Sequence, residues 1–376
     1  GVVERRIHAY CNYVEGLMHL NQRYDIWIRL SKKSFQKGLN SFVILGKILA
    51  RLFKSELPII ERIQITFITD LPTVERMFSE AKQIYEARDA RARGLKDEEV
   101  DSFYGCILCQ SFAPTHVCVI TPQRYANCGA ISWFDGRASA RIDPKGPVFR
   151  IERGEIIDKL RGEFSGVNAA VKEKSLGEVT RVFLYSAFGY PHTSCGCFEA
   201  TAFYIPEVEG FGVVQRDFVG PTVNGLPFST MADSTAGGRQ IDGFHGLSIE
   251  YMRSSKLLQA EGGWSRIAWI PSKLKERVKE FIPKDLTEKI ATESDVKGVD
   301  ELKAFLQAKA HPLVQQWAKA PPETVKEAGI EAQTVQVTEL EGLPTRAIKA
   351  GAFKIILKDA KITAKKLIIR AAEKDR

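Results

Sequence analysis

The sequence predicts an α/β domain over residues 1–99 and an α+β domain with a mixed sheet over residues 100–312, followed by a linker over 313–334 and a small β tail over 335–376. Three observations support this division. Helical and strand-like patterns alternate through the first domain. From Phe103 onward glycine, cysteine and proline become dense and the periodicity fades. The tail is rich in isoleucine, leucine and lysine with partial period-two alternation, which favours a β-hairpin.

The first domain opens with a helical pattern over residues 2–16, and Cys11 lies on its apolar side. We expect Cys11 to be a small buried hydrophobe. Residues 25–30 alternate as a strand would. Ser31 then resembles an N-cap for one or two amphipathic helices over residues 35–53.

The same domain ends with a second strand and a long helix. Residues 62–69 alternate again between polar and apolar side chains, which predicts a strand. Leu71 opens a helical pattern that runs into the charged residues 88–93.

The second domain contains further strand and helix signals. Strands are predicted at residues 181–185, 203–205, 212–214 and 266–270, and helices at 272–281, with Ser272 as the cap, and at 300–309. Residues 220–246 are rich in glycine but carry neither a Walker lysine nor a GxGxxG that follows a strand. We therefore expect this stretch to cover a buried site.

The composition is that of an ordinary soluble protein, with 44% hydrophobic and 27% charged residues. A net charge of +8 fits either solubility alone or a preference for anionic ligands or an acidic partner. No nucleic-acid-binding motif is evident, so no nucleic acid partner is expected. No apolar run could cross a bilayer and no signal peptide is evident, so we expect no membrane partner and a cytoplasmic location. The chain opens at Gly1 without Met, so we expect its natural start to lie upstream.

Six of the seven cysteines lie between residues 106 and 197. The first group is spaced C-x2-C-x8-C-x9-C and comprises Cys106, Cys109, Cys118 and Cys128. The second group is Cys195-Gly196-Cys197. A cytosolic protein that gathers its thiols in this way more often binds metal than forms disulfides.

The two groups favour different metals. Four thiolates suit either tetrahedral zinc or an iron–sulfur cluster. In the second group, two thiolates and two backbone nitrogens can wrap one metal in a planar N2S2 arrangement, which favours Ni(II) or Cu(II). Gly196 lets the backbone approach that metal. The alternative is a non-catalytic protein, with a plain electron-transfer cluster or a structural zinc and with Cys195 and Cys197 as a redox dithiol.

Three stretches closely resemble the acetyl-CoA synthases, and more narrowly the archaeal-type β subunits of acetyl-CoA decarbonylase/synthase complexes. The stretches are residues 106–118, 127–130 and 193–199. The resemblance covers most of the chain and fills all six cysteine positions that bind metal in the family. It does not include the N-terminal docking domain of the longer bacterial enzymes, so we expect no built-in CO tunnel.

The resemblance implies how the metals are bound. The four cysteines of the first group would hold a [4Fe–4S] cube, which is bridged to a proximal nickel through Cys109. Cys195 and Cys197, with the backbone nitrogens of Gly196 and Cys197, would hold a distal nickel and bridge it to the proximal one. Three bridging sulfurs leave the proximal nickel open to CO and methyl, which makes Cys109, Cys195 and Cys197 the catalytic cysteines.

The function that the resemblance implies is that of an acyltransferase, a CO-methylating acetyl-CoA synthase. It joins CO, coenzyme A and a methyl group from a corrinoid iron–sulfur protein, or runs the reverse cleavage. Carbon monoxide dehydrogenase subunits are the other expected partners. The metals supply the chemistry, and the protein supplies ligation, access and orientation.

Five further residues are candidates for the site. Phe112 matches a phenylalanine that lines the pocket beside the proximal nickel in the family, although a core aromatic explains it nearly as well. Trp27 and Arg29 are candidates for contacting coenzyme A, because an aromatic face can stack on adenine and a guanidinium can pair with phosphate. Packing is the alternative for Trp27. His116 and His192 are close enough in sequence to the cysteines to donate hydrogen bonds to sulfur.

Overall fold

Helices and short strands are interspersed along the computed structural model, which describes residues 1–19, 28–111, 113–192, 197–235 and 237–317. The helices are α1 Val2–Asn12, α2 Lys32–Gln36, α3 Phe42–Glu56, α4 Leu71–Ala90, α5 Trp133–Ile142, α6 Ser165–Lys174, α7 Phe228–Thr235, α8 Ile249–Met252, α9 Ser272–Val278, α10 Val299–Ala308 and α11 Pro312–Trp317. The strands are β1 Leu17–His19, β2 Ile28–Leu30, β3 Ser102–Cys106, β4 Cys118–Ile120, β5 Val148–Glu152, β6 Ile156–Asp158, β7 Glu163–Phe164, β8 Ala200–Ile205, β9 Gly210–Gln215, β10 Phe244–Leu247 and β11 Ile267–Trp269.

The strands form two larger sheets and two short pairs. One larger sheet has the order β4-β3-β5 and is antiparallel throughout. The other has the order β10-β8-β9-β11, in which β11 runs parallel to β9 and the other neighbours are antiparallel. The short pairs are β1 with β2 and β6 with β7. This combination of helices with a mixed sheet confirms the α+β class predicted for the larger part of the chain.

Cap residues set the helix starts in the first part of the chain, and the predicted cap at Ser31 and the predicted helix start at Leu71 are confirmed. The Ser31 hydroxyl accepts the N–H of Ser34 at 3.1 Å and begins α2. The Asp70 carboxylate accepts the N–H of Thr73 at 3.1 Å, and α4 begins at Leu71.

The strand predicted at residues 62–69 is wrong. Within the described residues this segment joins no strand ladder, although half-buried and exposed side chains alternate along it. Ile63, Ile65 and Phe67 pack against a cluster of buried side chains from α1 and α3. The alternation therefore arises from packing onto helices. The strand predicted at 25–30 is described only from Ile28, where it forms β2.

In the second part of the chain, β8, β9, β11 and α10 confirm the predicted elements. Residues 181–185 were wrongly predicted as a strand, because this segment contributes a single bridge from Phe183 to Pro191. Ser272 is not a cap: Pro271 holds that position, and the Ser272 N–H donates to Glu293 at 2.7 Å. Helix α7 lies inside the glycine-rich stretch and was not predicted.

The predicted domain limits at residues 99 and 312 stay predictions. Helix α11 lies at the start of the predicted linker. The rest of that linker and the predicted β tail at 335–376 lie outside the described residues. None of the described helices is long and apolar enough to cross a bilayer.

The two larger sheets share the largest cluster of buried apolar side chains. Phe103, Val119 and Ile151 contribute to it from the antiparallel sheet. The mixed sheet contributes Ala202, Val213 and Leu247. Because both sheets face one core, the ends of β3 and β4 are held in place relative to the start of β8.

Close packing on β3 requires a glycine. Gly105 lies opposite Phe149 of β5 in the register, and a Cβ on Gly105 would lie 2.3 Å from the Phe149 ring. The ring covers the backbone of the strand at the position just before Cys106. A side chain at residue 105 would push the ring or the strand away.

We expect Gly105→Ala to lower the free energy of unfolding by about 1–3 kcal/mol, the usual cost of overpacking a core. Gly94→Ala is the matched control, because no atom lies within 4 Å of its added Cβ. Urea denaturation of both variants measures the difference. Equal stabilities of the two variants would contradict the packing described for Phe149.

Candidate metal centre

Strand pairing brings the first two cysteines together. Cys106 is the last residue of β3 and Cys118 the first residue of β4, and the antiparallel register places them directly opposite each other. Directly opposed residues have Cβ atoms about 4.5–5.5 Å apart. Both side chains are buried. The register thus fixes the separation of two thiols that are distant in sequence.

The other described cysteines gather beside this pair. Cys128 belongs to the same buried cluster as Cys106 and Cys118, and Cys109 and Cys197 belong to a second small cluster. Electrostatic interactions join Cys106 to Cys109 and Cys128 to Cys197, so the two clusters adjoin. All five side chains are reduced thiols.

Backbone contacts hold the segment after Cys197 against the loop that carries Cys128. The Glu199 N–H donates to the Asn127 carbonyl at 2.9 Å, and the Asn127 N–H donates to Cys118 Sγ at 3.4 Å. Between them, Gly129 adopts a φ of +71°, and a Cβ there would lie 2.1 Å from Glu199 Oε2. Glycine at this position therefore lets the two segments approach.

The Glu199 carboxylate connects the site to the mixed sheet and to α8. Its Oε2 accepts the N–H of Ile249, the first residue of α8, at 2.8 Å. An anion at a helix start is stabilised by the unpaired N–H groups there. The segment between Cys197 and Ala200 is therefore held by the hydrogen bonds of Glu199 and by strand β8, which begins at Ala200.

Burial keeps three of these thiols protonated in the absence of metal. It raises the pKa of Cys106 and of Cys118 to about 12, and it also raises the pKa of Cys128. Backbone N–H groups lower these pKa values, because they stabilise the thiolate. The N–H of Leu108 acts on Cys106 and the N–H of Ala130 acts on Cys128. Thiolates form in such surroundings when a metal displaces the proton.

The donor set fits a thiolate-bound cluster. Soft sulfur ligands select iron–sulfur clusters, zinc and similar soft metals, and N–H groups directed at sulfur are typical of cluster sites. Among the described residues, no three His, Cys, Asp or Glu side chains could hold a single metal ion. A [4Fe–4S] cube takes one thiolate per iron, so its four sulfurs need not converge on one point.

Arg5 of α1 reaches the site from the N-terminal end of the chain. Its Nη2 donates to Cys109 Sγ at 2.8 Å, and the side chain is 1% exposed. Burial lowers the pKa of Arg5, but the charges of Cys109, Cys197 and Cys128 outweigh this effect and hold the pKa well above its ordinary value. No pattern in the sequence predicts this contact, because Arg5 is followed by a second arginine and lies far from the cysteines.

A buried polar network supports β4 beside Cys118. His192 Nε2 accepts the N–H of Val119 at 3.1 Å, so this histidine contacts the backbone rather than a described sulfur.

Arg124 donates from Nε to the Leu184 carbonyl at 3.1 Å. Burial lowers the pKa of His245 to about 3. The neutral ring accepts from Arg124 Nη2 at 2.9 Å, and its Nδ1–H donates to the Ser186 carbonyl. His116 packs edge-on against the His192 ring at 5.9 Å between centroids.

The remaining predicted site residues fall outside the described part of the chain. They are Trp27, Phe112, Cys195 and Gly196. Arg29 belongs to β2, but its side chain is not described.

Two family descriptions match the chain. A family described as the C-terminal part of the "ACS/CODH beta subunit" matches residues 85–318. The family described as "CO dehydrogenase/acetyl-CoA synthase complex beta subunit" matches residues 1–74. The first match contains all the candidate cysteines of the site, and the second contains Arg5.

Curated relatives resemble the chain over nearly its whole length. The acetyl-CoA decarbonylase/synthase complex subunit beta of Methanothermobacter thermautotrophicus is 53% identical over 98% of this chain and 81% of its own length. The subunit beta of Methanopyrus kandleri is 51% identical over 100% of this chain and 81% of its own length. Subunit beta 2 of Methanosarcina thermophila is 50% identical over 98% of this chain and 80% of its own length.

A solved structure also matches part of the chain. The C-terminal domain of an acetyl-coenzyme A synthase alpha subunit is 37% identical over 32% of this chain and 96% of its own, with a TM-score of 0.30.

We expect the metal-free protein to lose stability as the pH rises above about 9. An unfolded cysteine ionises near its ordinary value of 9.0, whereas the folded Cys106 and Cys118 stay protonated up to about 12. The folded state then binds more protons, so the free energy of unfolding falls with pH, by about 1 kcal/mol per pH unit for each thiol. Urea denaturation between pH 8 and 10, under argon with a reductant, measures this slope.

The control for this experiment is the double variant Cys106→Ala and Cys118→Ala. Its slope should be smaller, because neither thiol remains to titrate. Equal slopes in the two proteins would mean that lysines and tyrosines cause the effect, and would contradict the raised pKa of the two thiols.

Proposed function

This chain belongs to the family of CO dehydrogenase/acetyl-CoA synthase complex beta subunits, and on that premise we propose that it assembles or cleaves acetyl-CoA at a nickel and iron–sulfur centre. The substrates are CO, coenzyme A and a methyl group delivered by a corrinoid iron–sulfur protein. The reaction class is acyl transfer. Carbon monoxide dehydrogenase subunits of the same complex are the other partners.

The gathering of Cys106, Cys109, Cys118, Cys128 and Cys197 at one buried place carries this proposal. These thiols come from two strands, two loops and the segment before β8. They form no disulfide, and burial holds the pKa of three of them above the ordinary value. Such an arrangement favours metal binding over disulfide chemistry.

The proposed ligands follow the two cysteine groups. Cys106, Cys109, Cys118 and Cys128 would hold a [4Fe–4S] cube, and Cys195 and Cys197 would hold the distal nickel with the backbone nitrogens of Gly196 and Cys197. Cys109, Cys195 and Cys197 would also hold the proximal nickel. When bound, this centre supplies the redox and organometallic chemistry that couples methyl and CO.

The protein's own residues supply the surroundings. A separate cluster of buried side chains, which includes Ile120 and Trp133, surrounds the sulfurs of Cys106 and Cys118 and excludes water from them. Phe112 is proposed to line the pocket at the proximal nickel, and Trp27 and Arg29 to contact coenzyme A. A cytoplasmic location stays a prediction of the sequence alone.

The rival function is electron transfer or a structural role. A plain [4Fe–4S] cluster or a zinc at the first cysteine group, with a redox dithiol at the second, would leave the protein without nickel. Nickel analysis of anaerobically purified protein separates the two functions. At least one nickel per chain together with iron favours the synthase.

Replacing ligands of the two groups should remove different metals. Cys197→Ser should abolish nickel binding and leave the absorption band of the [4Fe–4S] cube, whereas Cys118→Ser should bleach that band. Cys11→Ser is the matched control, because Cys11 is buried in a separate core. Metal analysis and visible spectra measure both effects. Two nickels retained by Cys197→Ser would show that the shared-thiolate assignment is wrong.

The reconstituted chain should exchange the acetyl carbonyl with free CO in the absence of carbon monoxide dehydrogenase, because all proposed metal ligands lie between residues 106 and 197. Exchange should rise with nickel loading and should not be supported by zinc or Cu(I), which are d10 ions and cannot readily supply the redox steps. The measurement is incorporation of labelled CO into acetyl-CoA against nickel content. Absence of exchange at full nickel loading, or activity that rises with zinc, would refute the proposed function.

A further inference from the structure

The first helix brings a buried cation to the cysteines. Arg5 lies in α1 and is 1% exposed. One of its terminal nitrogens, Nη2, donates to Cys109 Sγ at 2.8 Å. The other, Nη1, is buried and has no hydrogen-bond partner in the described part of the chain.

Arg5 has no carboxylate partner among the described residues. Burying a guanidinium without a counter-ion is energetically unfavourable. Two arginines that are only partly exposed contact carboxylates: Arg93 contacts Glu250 at 2.6 Å, and Arg88 contacts Asp89 at 2.9 Å. The buried Arg124 donates to the backbone carbonyl of Leu184 and contacts His245. Arg5 instead has thiols beside it, so its natural counter-ions are thiolates.

The neighbouring Arg6 has a different environment. It is also buried, at 4% exposure, but its Nη1 contacts the Glu56 carbonyl at 3.1 Å and the Tyr10 hydroxyl at 3.4 Å. No described contact joins Arg6 to a cysteine. Arg5 and Arg6 are thus adjacent buried arginines of one helix, and only Arg5 has a described contact with a cysteine sulfur.

We propose that Arg5 is a positioning residue that neutralises the thiolates of Cys109 and Cys197 and thereby raises the reduction potential of the cluster they help to bind. The inference rests on the proposed function, because it requires metal-bound thiolates at these positions. Adding an electron makes a cluster more negative. A fixed positive charge and an N–H donor on sulfur stabilise the reduced form more than the oxidised form.

The test compares Arg5→Gln, Arg5→Lys and Arg6→Gln with the unaltered chain. Each protein is reconstituted with iron and sulfide under argon, and the one-electron reduction of the [4Fe–4S] cluster is titrated by electron paramagnetic resonance. We expect Arg5→Gln to lower the equilibrium constant for reduction about tenfold, a shift of about 59 mV to more negative potential. Arg5→Lys keeps the charge and should shift less. Arg6→Gln should leave the potential unchanged.

The outcomes separate this inference from the proposed function. An unchanged potential in Arg5→Gln, or an equal shift in Arg6→Gln, would overturn the role of Arg5 and leave the proposed function intact. Failure of the unaltered chain to take up any [4Fe–4S] cluster would overturn the proposed function itself.

Folding is checked separately by circular dichroism and thermal melting. If Arg5→Gln folds but does not hold iron while Arg5→Lys does, the charge is needed to keep the thiolates together, which supports the inference. Loss of the fold in both Arg5 variants, with Arg6→Gln still folded, would assign Arg5 to packing and overturn it.

Discussion

The antiparallel pairing of β3 with β4 is the constraint on which the candidate site depends. It places Cys106 and Cys118 opposite each other, and the shared core of the two larger sheets holds both strands in place. The loops that carry Cys109 and Cys128 leave from the ends of these strands. Cys197 reaches the same place because its neighbour Glu199 is tied to Asn127 and to α8. A site assembled from distant segments therefore has its geometry set by one ladder of backbone hydrogen bonds.

The second constraint on the site is the balance of charge between Arg5 and the cysteine sulfurs. Burial raises the pKa of Cys106, Cys118 and Cys128 and so disfavours their thiolates without metal, and the guanidinium of Arg5 has no carboxylate counter-ion among the described residues. Metal binding would supply the anionic sulfurs, so the N-terminal helix and the cluster stabilise each other. In this arrangement Arg5 of α1 stabilises cysteines that lie more than 100 residues further along the chain.

The sequence predicted helix starts and strands that depend on residues close together in the chain. Helix α4 begins at Leu71 and strands form at residues 203–205 and 212–214, as the sequence predicted. The spacing of the cysteines predicted two metal-binding groups, and only the resemblance to the acetyl-CoA synthases implied that they form one site. Strand β3 was missed because Gly105 and Cys106 have no strong strand preference, and its pairing depends on Phe149 and Cys118. The contact between Arg5 and Cys109 joins residues 104 positions apart, which no local pattern encodes.

The register of β3 also limits how this part of the sequence can diverge. Side chains of a strand alternate between its two faces, so inserting or deleting one residue within β3 would turn Cys106 to the opposite face. The same change would move Gly105 away from the Phe149 ring. Substitutions of neighbouring residues leave the register intact. A change in the length of this strand is therefore incompatible with the site, whereas substitutions along the strand are compatible with it.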